Sequence, residues 1–227
     1  MSKIYIPSKG PDDWQKFLAQ PCKQWRTGYS AKTLAHCWER ADGLPREIES
    51  MIESLGTDVE LLLAIPEHKV PLPGSFRGDS QNDVFALVRV EDRTLAIMIE
   101  GKVNEPFGDT IGEWLQNASD GKRERLGFLC DLLGLTLPLP KDIYYQLVHR
   151  TASAVIEARR FKTDGAAMIV HSFSPDRQRF EDFTRFVSLF GVVQVESVVN
   201  QLITARSNTN PSLYLGWACG DYSFLTA

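Results

Sequence analysis

Hydrophobic positions recur along the chain with two spacings, one typical of helices and the other typical of strands. Near the N-terminus, Trp14, Phe17 and Leu18 fall on one stripe of a helix. Ser30 is a suitable N-cap for the helix that follows. The predicted helices cover 11–20, 31–41, 45–55, 122–133, 141–161 and 176–190.

Short apolar runs predict strands between these helices. The predicted strands cover 59–65, 83–90, 94–100, 167–171 and 213–217. The charged tripeptide Glu91-Asp92-Arg93 joins two of them into a β-hairpin. Both strands of this hairpin are apolar on both faces, so we expect them in the centre of a covered sheet. The turn-rich segment 69–78 is predicted to be an ordered loop, and 192–204 fits neither spacing.

The order of elements predicts an α/β fold with a mixed central sheet flanked by helices. Helices come first, then three strands, further helices, one strand, a helix and a last strand. Since no segment has the composition of a linker, we expect one domain over 1–227. Within it, 1–43 form a helical N-terminal extension, 44–190 the core and 191–227 a C-terminal extension.

Composition places the chain among soluble globular proteins. Hydrophobic residues make up 43% of its 227 positions. The chain contains 25 Lys and Arg and 29 Asp and Glu, which gives a net charge of −4. This balance argues against a dedicated non-specific DNA-binding protein, although it leaves room for an enzyme with one basic groove. No apolar run approaches the ~18 residues that a membrane span needs. The first seven residues lack the apolar segment of a signal peptide, so we expect a cytoplasmic protein.

Cysteine and histidine are scattered along the chain. They are Cys22, Cys37, Cys130 and Cys219, and His36, His68, His149 and His171. Their spacings match neither a zinc knuckle, nor a redox pair, nor a His-x-x-x-His metal motif. Cys37 and Cys130 have apolar neighbours and are interpreted as buried thiols.

The predicted hairpin brings charged residues together at its open end. If its loop has two residues, Asp83 lies opposite Glu100; a three-residue loop places Asp83 opposite Gly101. A loop displaced by one residue places Asp83 opposite Lys102. Because side chains alternate along a strand, Glu100 and Lys102 share a face. Each register therefore predicts two carboxylates and one ammonium in close proximity.

Carboxylates held together in a buried place repel one another, and a divalent cation relieves that repulsion. Oxygen ligands alone favour Mg²⁺ or Mn²⁺, with waters completing the coordination shell. A neighbouring lysine can orient or help to deprotonate an attacking water, or offset charge in the transition state. Asp83, Glu100 and Lys102 are therefore the candidate catalytic residues of a phosphodiester hydrolase.

The segment Asn82-Asp83 followed by Glu100-Gly101-Lys102 resembles the PD-(D/E)xK motif of restriction-endonuclease-like nucleases. The order of elements over 44–190 is similar to the core of that superfamily. The resemblance implies a nuclease-like core, in which Asp83 and Glu100 bind the metal and the Gly101 carbonyl is a further ligand. It also implies that Lys102 assists the water. Asn82 stands where the motif has proline.

The long helix predicted over 141–161 carries a polar stripe formed by Gln146, His149, Arg150 and Ser153. In the superfamily that the chain resembles, the corresponding helix often aims a polar residue at the site. Gln146 or Arg150 is then expected to contact the metal shell or a phosphate. The alternative interpretation is a solvated helix face.

Further candidates surround the motif. Glu67 and His68 follow the first strand and are expected either to line the pocket or to lie in an exposed turn; Glu105 has the same two interpretations. In parts of the superfamily, an acidic residue of the first core helix joins the metal shell. The sequence offers Glu47, Glu49 and Glu53 for that position.

Aromatic residues near the N-terminus allow two interpretations. Trp25, Tyr29 and Trp38 with Arg26 could form a platform for stacking bases. Their helical spacing favours core packing instead. The helix over 31–41 is also a candidate to cover the sheet edge or to form a homodimer surface.

The whole chain also resembles a bacterial protein family to which no demonstrated activity is attached. The stretches that carry this resemblance are 25–30, 65–69 and 100–108. The sequence therefore predicts a metal-dependent nuclease whose substrate is nucleic acid, with DNA preferred and no membrane partner. The alternative is a catalytically inactive nuclease-like fold that binds nucleic acid or protein. A third interpretation makes Glu100 and Lys102 a simple ion pair at a strand end.

Overall fold

The structure is a computed structural model, and it describes residues 4–5, 8–74, 78–192, 199–206 and 209–227. Its helices are α1 (Pro21–Gln24), α2 (Ser30–Arg40), α3 (Arg46–Ile52), α4 (Ile111–Trp114), α5 (Asp120–Leu133), α6 (Tyr145–Phe161) and α7 (Phe180–Ser188). Its strands are β1 (Val59–Val70), β2 (Ser80–Val90), β3 (Arg93–Lys102), β4 (Gly165–Ser172), β5 (Leu202–Thr204) and β6 (Ser212–Cys219). Short 3₁₀ helices cover Pro11–Phe17, Glu53–Leu55 and Tyr222–Thr226.

The described strands form one six-stranded sheet in the order β1-β2-β3-β4-β6-β5. β1, β2 and β3 are mutually antiparallel, β3, β4 and β6 are parallel, and β5 is antiparallel to β6. α4, α5 and α6 lie in the connection between the parallel strands β3 and β4. This mixed sheet with flanking helices confirms the predicted α/β class. No helix among the described residues is long and apolar enough to cross a membrane.

Helices cover both faces of the sheet, which gives the protein two apolar clusters. On one face, α5, α6 and α7 pack on residues such as Met98. On the other, α2 and α3 pack on residues such as Ile97 and Ile99. Because its residues alternate between the two clusters, β3 is buried along nearly its whole length. The predicted hairpin is therefore central, as its two apolar faces indicated.

The hairpin has a two-residue turn. Val90 pairs with Arg93, so Glu91 and Asp92 form the loop, and Glu91 adopts a left-handed φ of 55°. Of the three registers that the sequence allowed, the structure has the one that leads to Asp83 beside Glu100. The last pair of the ladder is Val84 with Ile99, and Asp83 and Glu100 are the next residues toward the open end of the hairpin.

β1 is longer than predicted because it continues through Pro66 to Val70. Proline is tolerated here since β1 lies at the edge of the sheet formed by the described strands. Lys69 and Val70 therefore belong to the strand rather than to the predicted loop. Residues 75–77 of that loop lie outside the described part of the chain, as do 193–198 of the unassigned segment.

Three helices are shorter than their apolar stripes indicated. α6 begins at Tyr145 because the carbonyls of Lys141 and Ile143 accept backbone N–H groups at the start of α4. α7 begins at Phe180 because Arg177 and Arg179 have left-handed backbone angles that a helix excludes. The N-terminal stripe forms a 3₁₀ helix that ends before Leu18, whose backbone is extended.

Two helix ends have well-defined capping residues. Thr110 and Glu113 form a reciprocal capping box at the start of α4. α5 ends at Gly134, which takes the left-handed conformation that glycine adopts at little cost. Trp38 is 1% exposed within the α2 cluster, so its aromatic ring belongs to the core rather than to a stacking platform.

Candidate functional site

A cavity of about 360 Å³ lies at the open end of the hairpin. Its polar lining includes Glu67, Gln81, Asp83, Glu100, Lys102 and Arg150. The N-terminal segment forms the facing wall through Leu18, Ala19, Lys23, Gln24, Tyr29 and Ser30. Gly101, Gln146 and Glu105 complete the set of predicted residues that reach this cavity.

Strand register brings the three carboxylates together. In the ladder of β1 and β2, the pairs Pro66–Val84 and His68–Asn82 flank Glu67 and Asp83, which therefore lie side by side. In the ladder of β2 and β3, the position after the last pair places Asp83 next to Glu100. The acidic residues are thus on neighbouring strands although they are far apart in sequence.

Asp83 also connects the ends of β2 and β3. Its Oδ2 accepts a 2.7 Å hydrogen bond from the backbone N–H of Gly101. This contact lies just beyond the last backbone pair of the ladder, so it holds β3 near β2 at the mouth of the cavity. This bond fixes the carboxylate in position, and it is the one hydrogen bond that the Asp83 side chain accepts from the described part of the chain.

Glu67 interrupts the regular alternation of β1. Its φ is 53°, a left-handed value that costs a non-glycine residue free energy. In a regular strand, residues three positions apart point to opposite faces of the sheet. Because of the left-handed residue between them, Ile65 and His68 instead both contact the apolar cluster beneath α6. Glu67 itself turns into the cavity, where its Oε2 accepts a 2.7 Å hydrogen bond from Nε2 of Gln81.

The structure does not bring His68 to the cavity. Its ring stacks on Phe85 with 4.9 Å between centroids, and its Nε2 lies 3.6 Å from Oε2 of Glu157 in α6. The expected pair of Glu67 and His68 is therefore divided between the cavity and the core. Neither residue lies in the exposed turn that was the alternative, since both belong to β1.

Two cations hold the carboxylate of Glu100. Lys102 Nζ lies 2.6 Å from its Oε1, and Arg150 Nε lies 2.7 Å from its Oε2. All three side chains are almost fully buried. Lys102 also donates a 3.2 Å hydrogen bond to Oε1 of Gln146. The network joins β3 to α6 and fixes the ammonium group beside the carboxylates.

The polar stripe of α6 faces the sheet rather than solvent. Arg150 and Ser153 are buried, and Arg150 donates a second hydrogen bond of 3.2 Å to Oγ of Ser80. His149 Nδ1 lies 2.8 Å from that same hydroxyl. The interpretation as a solvated face is wrong for these residues: Arg150 and His149 have polar partners on β2 and β3, and Ser153 donates a 2.8 Å hydrogen bond to the carbonyl of His149 in its own helix.

The carboxyl groups of the cavity differ in proton affinity. Burial, together with the charge of Asp83, raises the pKa of Glu67 to about 8. Burial and the charge of Glu100 raise the pKa of Asp83 to about 7. Burial acts on Glu100 in the same direction, but Lys102 and Arg150 outweigh it and hold its pKa below the ordinary value. Near neutral pH, Glu100 is thus an anion, whereas Glu67 and Asp83 are both partly protonated.

The cavity offers carboxylate oxygens to a divalent cation, but Glu67, Asp83 and Glu100 do not bring three of them within 4.8 Å of one another, so a side chain has to move before all three can bind one ion. Glu67, Asp83 and Glu100 offer carboxylate oxygens, and Gly101 also lines the cavity. A cation would replace the protons that Glu67 and Asp83 retain and would relieve their mutual repulsion. Each oxygen of Glu100 keeps a second lone pair after accepting from its cationic partner.

Other candidate residues have different roles. Glu105 lines the cavity, but its Oε1 accepts from the N–H of Ser30 at 2.8 Å and its Oε2 from that of Val103 at 2.9 Å. It therefore ties α2 to the chain after β3. Glu47 does not line the cavity; it lies 2.6 Å from His171 instead.

Sequence reasoning missed Gln81 and Lys23 as cavity residues. Gln81 had a usable signal, since it stands two positions before Asp83 on the same strand. Lys23 had none, because the short helix α1 gives no periodicity that would orient it. Tyr29 also reaches the cavity, and Arg26 lies 5.8 Å from its ring centre, so two members of the suggested aromatic platform remain together.

The sequence of the chain matches one known protein family over most of its length. A family model described as "Domain of unknown function (DUF6946)" matches residues 7–222. The chain belongs to the DUF6946 family. The match includes every residue of this DUF6946 member that lines the cavity. No curated protein and no solved structure matches the chain.

Proposed function

We propose that this DUF6946 protein is a divalent-metal-dependent phosphodiester hydrolase, a nuclease that acts on DNA. The observation that carries the proposal is the convergence of Asp83, Glu100 and Lys102 in one cavity, with Asp83 and Glu67 holding protons at unusually high pH. Carboxyl groups with strongly displaced pKa values in a cleft are frequent at functional sites. The order of strands and the hairpin register are compatible with the nuclease superfamily that the motif resembles.

In this proposal, Asp83 and Glu100 would hold Mg²⁺ or Mn²⁺, with the Gly101 carbonyl as a further ligand and Glu67 as a third carboxylate that has to move to reach the ion. A bound cation would polarise a phosphate oxygen as a Lewis acid and lower the pKa of a bound water. Lys102 orients the attacking water, and its ammonium offsets charge as the phosphorane-like transition state forms. Gln146 restricts the lysine to one direction through their hydrogen bond.

Arg150 has two roles in the proposed mechanism. It keeps Glu100 ionised, which a metal ligand requires, and its remaining guanidinium N–H groups can pair with a phosphate oxygen. Since Lys102 holds the other oxygen of Glu100, loss of Arg150 would leave this carboxylate with one cation. Arg150 is therefore a positioning residue for Glu100 and a candidate contact for the substrate.

The size of the cavity is compatible with the entry of one DNA strand. A volume of about 360 Å³ is at the lower end of the range for small-ligand sites. The wall from Leu18 to Ser30 stands close to the carboxylates, and Tyr29 offers an aromatic ring at its edge. A single strand or a frayed DNA end fits these dimensions better than an intact duplex.

The test is cleavage of single-stranded and plasmid DNA in Mn²⁺ or Mg²⁺ by wild type and by Lys102→Ala. Lys69→Ala is the matched control, because Lys69 is exposed near the end of β1 and outside the cavity. We expect cutting by wild type and by the control, at least a hundredfold slower in Lys102→Ala. Equal cutting by all three proteins would contradict the proposal.

A second candidate is a nuclease-like fold that binds without cutting. It is favoured by the contacts of Glu100, whose two oxygens are both held by cations at 2.6 and 2.7 Å. The net charge of −4 also favours it. Calorimetric titration with Mn²⁺ separates the two, because the binding-only protein would show no heat and no loss in Asp83→Asn. A repeat with a short DNA present covers the case in which phosphate completes the metal shell.

A further inference from the structure

A second cluster of metal-ligating side chains lies on the other face of the sheet. It contains Cys37 of α2, Glu47 of α3 and His171 of β4. His171 Nε2 lies 2.6 Å from Oε1 of Glu47, and Cys37 Sγ lies 3.9 Å from that oxygen. One ligand atom from each residue lies within 4.8 Å of the others.

This cluster is separate from the carboxylate cavity. His171 is two residues after Ile169 in β4, so their side chains point to the same face of the sheet. Ile169 belongs to the cluster of α2 and α3, and His171 therefore points away from α6. His171 pairs with Gly101 across β4 and β3, so the two groups lie at the same level of the sheet on opposite faces. A Cβ at Gly101 would lie 3.1 Å from Cδ2 of Leu34, which shows how closely α2 approaches the strand here.

Burial distinguishes the cluster from an ordinary surface pair. Cys37 is 4% exposed and His171 is 0% exposed, whereas the Glu47 side chain keeps 18% of its surface. Nδ1 of His171 has no hydrogen-bond partner among the described residues. Glu47 is thus the hydrogen-bond partner of the imidazole among the described residues, the centre of the His171 ring also lies 4.4 Å from that of Phe173, and Glu47 is the member of the cluster with the most solvent exposure.

The hydrogen bonds within the cluster are poorly matched in the absence of an ion. The Cys37 thiol is directed at the Glu47 carboxylate, with 3.9 Å between Sγ and Oε1, and the same oxygen lies 2.6 Å from Nε2 of His171. A thiol directed at a carboxylate gains little from hydrogen bonding, since S–H is a weak donor. A bound cation would turn the same three groups into well-matched ligands.

We propose that Cys37, Glu47 and His171 form a zinc site that is distinct from the Mg²⁺ or Mn²⁺ cavity. Sulfur, imidazole nitrogen and carboxylate oxygen are the donors that Zn²⁺ binds in proteins. The ligand distances of Zn²⁺ place donor atoms of a tetrahedral site about 3.5 Å apart, so the 3.9 Å separation fits and the 2.6 Å separation has to widen.

Binding proceeds with a defined change in protons. The Cys37 thiol releases its proton to solvent and forms the Zn–S bond as a thiolate. The proton that Nε2 of His171 donates to Glu47 leaves that nitrogen, and the imidazole binds through the freed Nε2 lone pair as the tautomer with its proton on Nδ1. The thiolate and the Glu47 carboxylate balance the charge of the ion, and water occupies the fourth position. The site would join α2 and α3 to β4.

The experiment uses metal-free full-length protein and Co²⁺ as a spectroscopic substitute for Zn²⁺. We expect one equivalent of Co²⁺ to give tetrahedral visible bands and a sulfur-to-metal charge-transfer band, both removed by added Zn²⁺. The charge-transfer band reports sulfur ligation in wild type itself, so the result does not depend on whether a variant folds. Absence of that band in wild type would overturn the proposal.

Variants identify the ligands. Cys37→Ala is expected to abolish the charge-transfer band, and Glu47→Gln to weaken Co²⁺ binding at least tenfold. Cys22→Ala and Glu49→Gln are the controls, since Cys22 is exposed and Glu49 lies on the same helix outside the cluster. A band that survives in folded Cys37→Ala, or disappears in Cys22→Ala, would contradict the assignment.

The zinc site does not rest on the proposed nuclease activity. Asp83→Asn alters the carboxylate cavity and is expected to leave the Co²⁺ spectrum unchanged. If Asp83→Asn abolishes the spectrum, the ion is bound in the cavity and the zinc site is rejected. If DNA is not cut but the spectrum is present and sensitive to Cys37→Ala, only the nuclease proposal fails.

Discussion

Glu67 lies beside Asp83 in the register that pairs β1 with β2, and Asp83 in turn lies beside Glu100. The charge of Asp83 contributes to the raised pKa of Glu67, and the charge of Glu100 to that of Asp83. Burial acts in the same direction on both. The three carboxyl groups therefore repel one another across three strands. Lys102 and Arg150 outweigh burial and repulsion at Glu100, whereas at Asp83 the same two cations lower the pKa by less than burial and Glu100 raise it. The folded protein keeps an unfavourable interaction that increases as these carboxyl groups ionise.

Asp83→Asn should stabilise the metal-free protein at high pH. The folded-state pKa of Asp83 is about 7, against 3.8 for a free aspartate, so the native state holds more protons than the unfolded state between these values. Stability is consequently lost as the pH rises from about 4 through 7. Asparagine keeps an oxygen for the N–H of Gly101 but carries no charge. We expect a gain of roughly 2 kcal/mol at pH 8.5 that falls to less than half of that at pH 5.

Urea unfolding at the two pH values measures this difference. Asp79→Asn is the control, because Asp79 is exposed just before β2. The control should leave stability within about 0.5 kcal/mol of wild type at both pH values. A loss of stability in Asp83→Asn at pH 8.5 would show that its carboxylate is compensated in the folded protein.

Affinity for Mn²⁺ should increase with pH. Because the pKa values of Asp83 and Glu67 are about 7 and 8, the cation has to displace protons from them in neutral solution. Below pH 7, we expect the affinity to rise roughly tenfold per pH unit for each proton displaced. Calorimetry in buffers of different ionisation enthalpy counts those protons. An affinity that is constant from pH 6 to pH 8.5 would exclude these carboxyl groups as ligands.

Arg150→Met should destabilise the fold by about 3 kcal/mol. The change removes one of two cations from the buried carboxylate of Glu100 and leaves the Ser80 hydroxyl without that donor. Thermal unfolding with circular dichroism measures the loss. Arg160→Met serves as control on the same helix, since the Arg160 side chain is 65% exposed and its pair with Glu157 is worth less than about 1 kcal/mol. Similar losses in both variants would mean that the buried pair of Arg150 and Glu100 contributes no more to stability than the exposed pair of Arg160 and Glu157.

Glycine should be better tolerated than alanine at position 67. The φ of 53° at Glu67 is unfavourable for any residue with a Cβ and accessible to glycine. We expect Glu67→Gly to be more stable than Glu67→Ala by about 1 kcal/mol, the reverse of the order in a regular strand. Because both variants lack the carboxylate, its loss does not contribute to the difference in stability between them. Equal stability, or greater stability of alanine, would show that the left-handed conformation is not kept in solution.

The central part of the site was predictable from the sequence because it depends on local rules. Two apolar runs and a charged turn predicted the hairpin, and strand periodicity placed Glu100 and Lys102 on one face. A two-residue turn then sufficed to bring Asp83 next to Glu100. These steps use only alternation and turn length, which the amino-acid sequence carries directly.

The remainder depended on contacts between distant elements. Periodicity showed a polar stripe on α6, but a stripe that faces water and one that is buried against Glu100 have the same pattern. The left-handed residue Glu67 separated His68 from the cavity, and no spacing rule detects such a change in glutamate. Cys37 and His171 come from an early helix and a late strand, so motif spacing could not join them.

The connection between Arg150 and Glu100 spans 50 residues of chain, and this has a consequence for synthesis on the ribosome. At the usual rates of about 5–20 residues per second, α6 is made several seconds after the acidic hairpin. During that interval, the nascent chain contains Glu67, Asp83 and Glu100 without the guanidinium that later compensates them. The carboxylates therefore reach their final arrangement only when α6 docks, and a nascent chain that ends before it has no completed cavity.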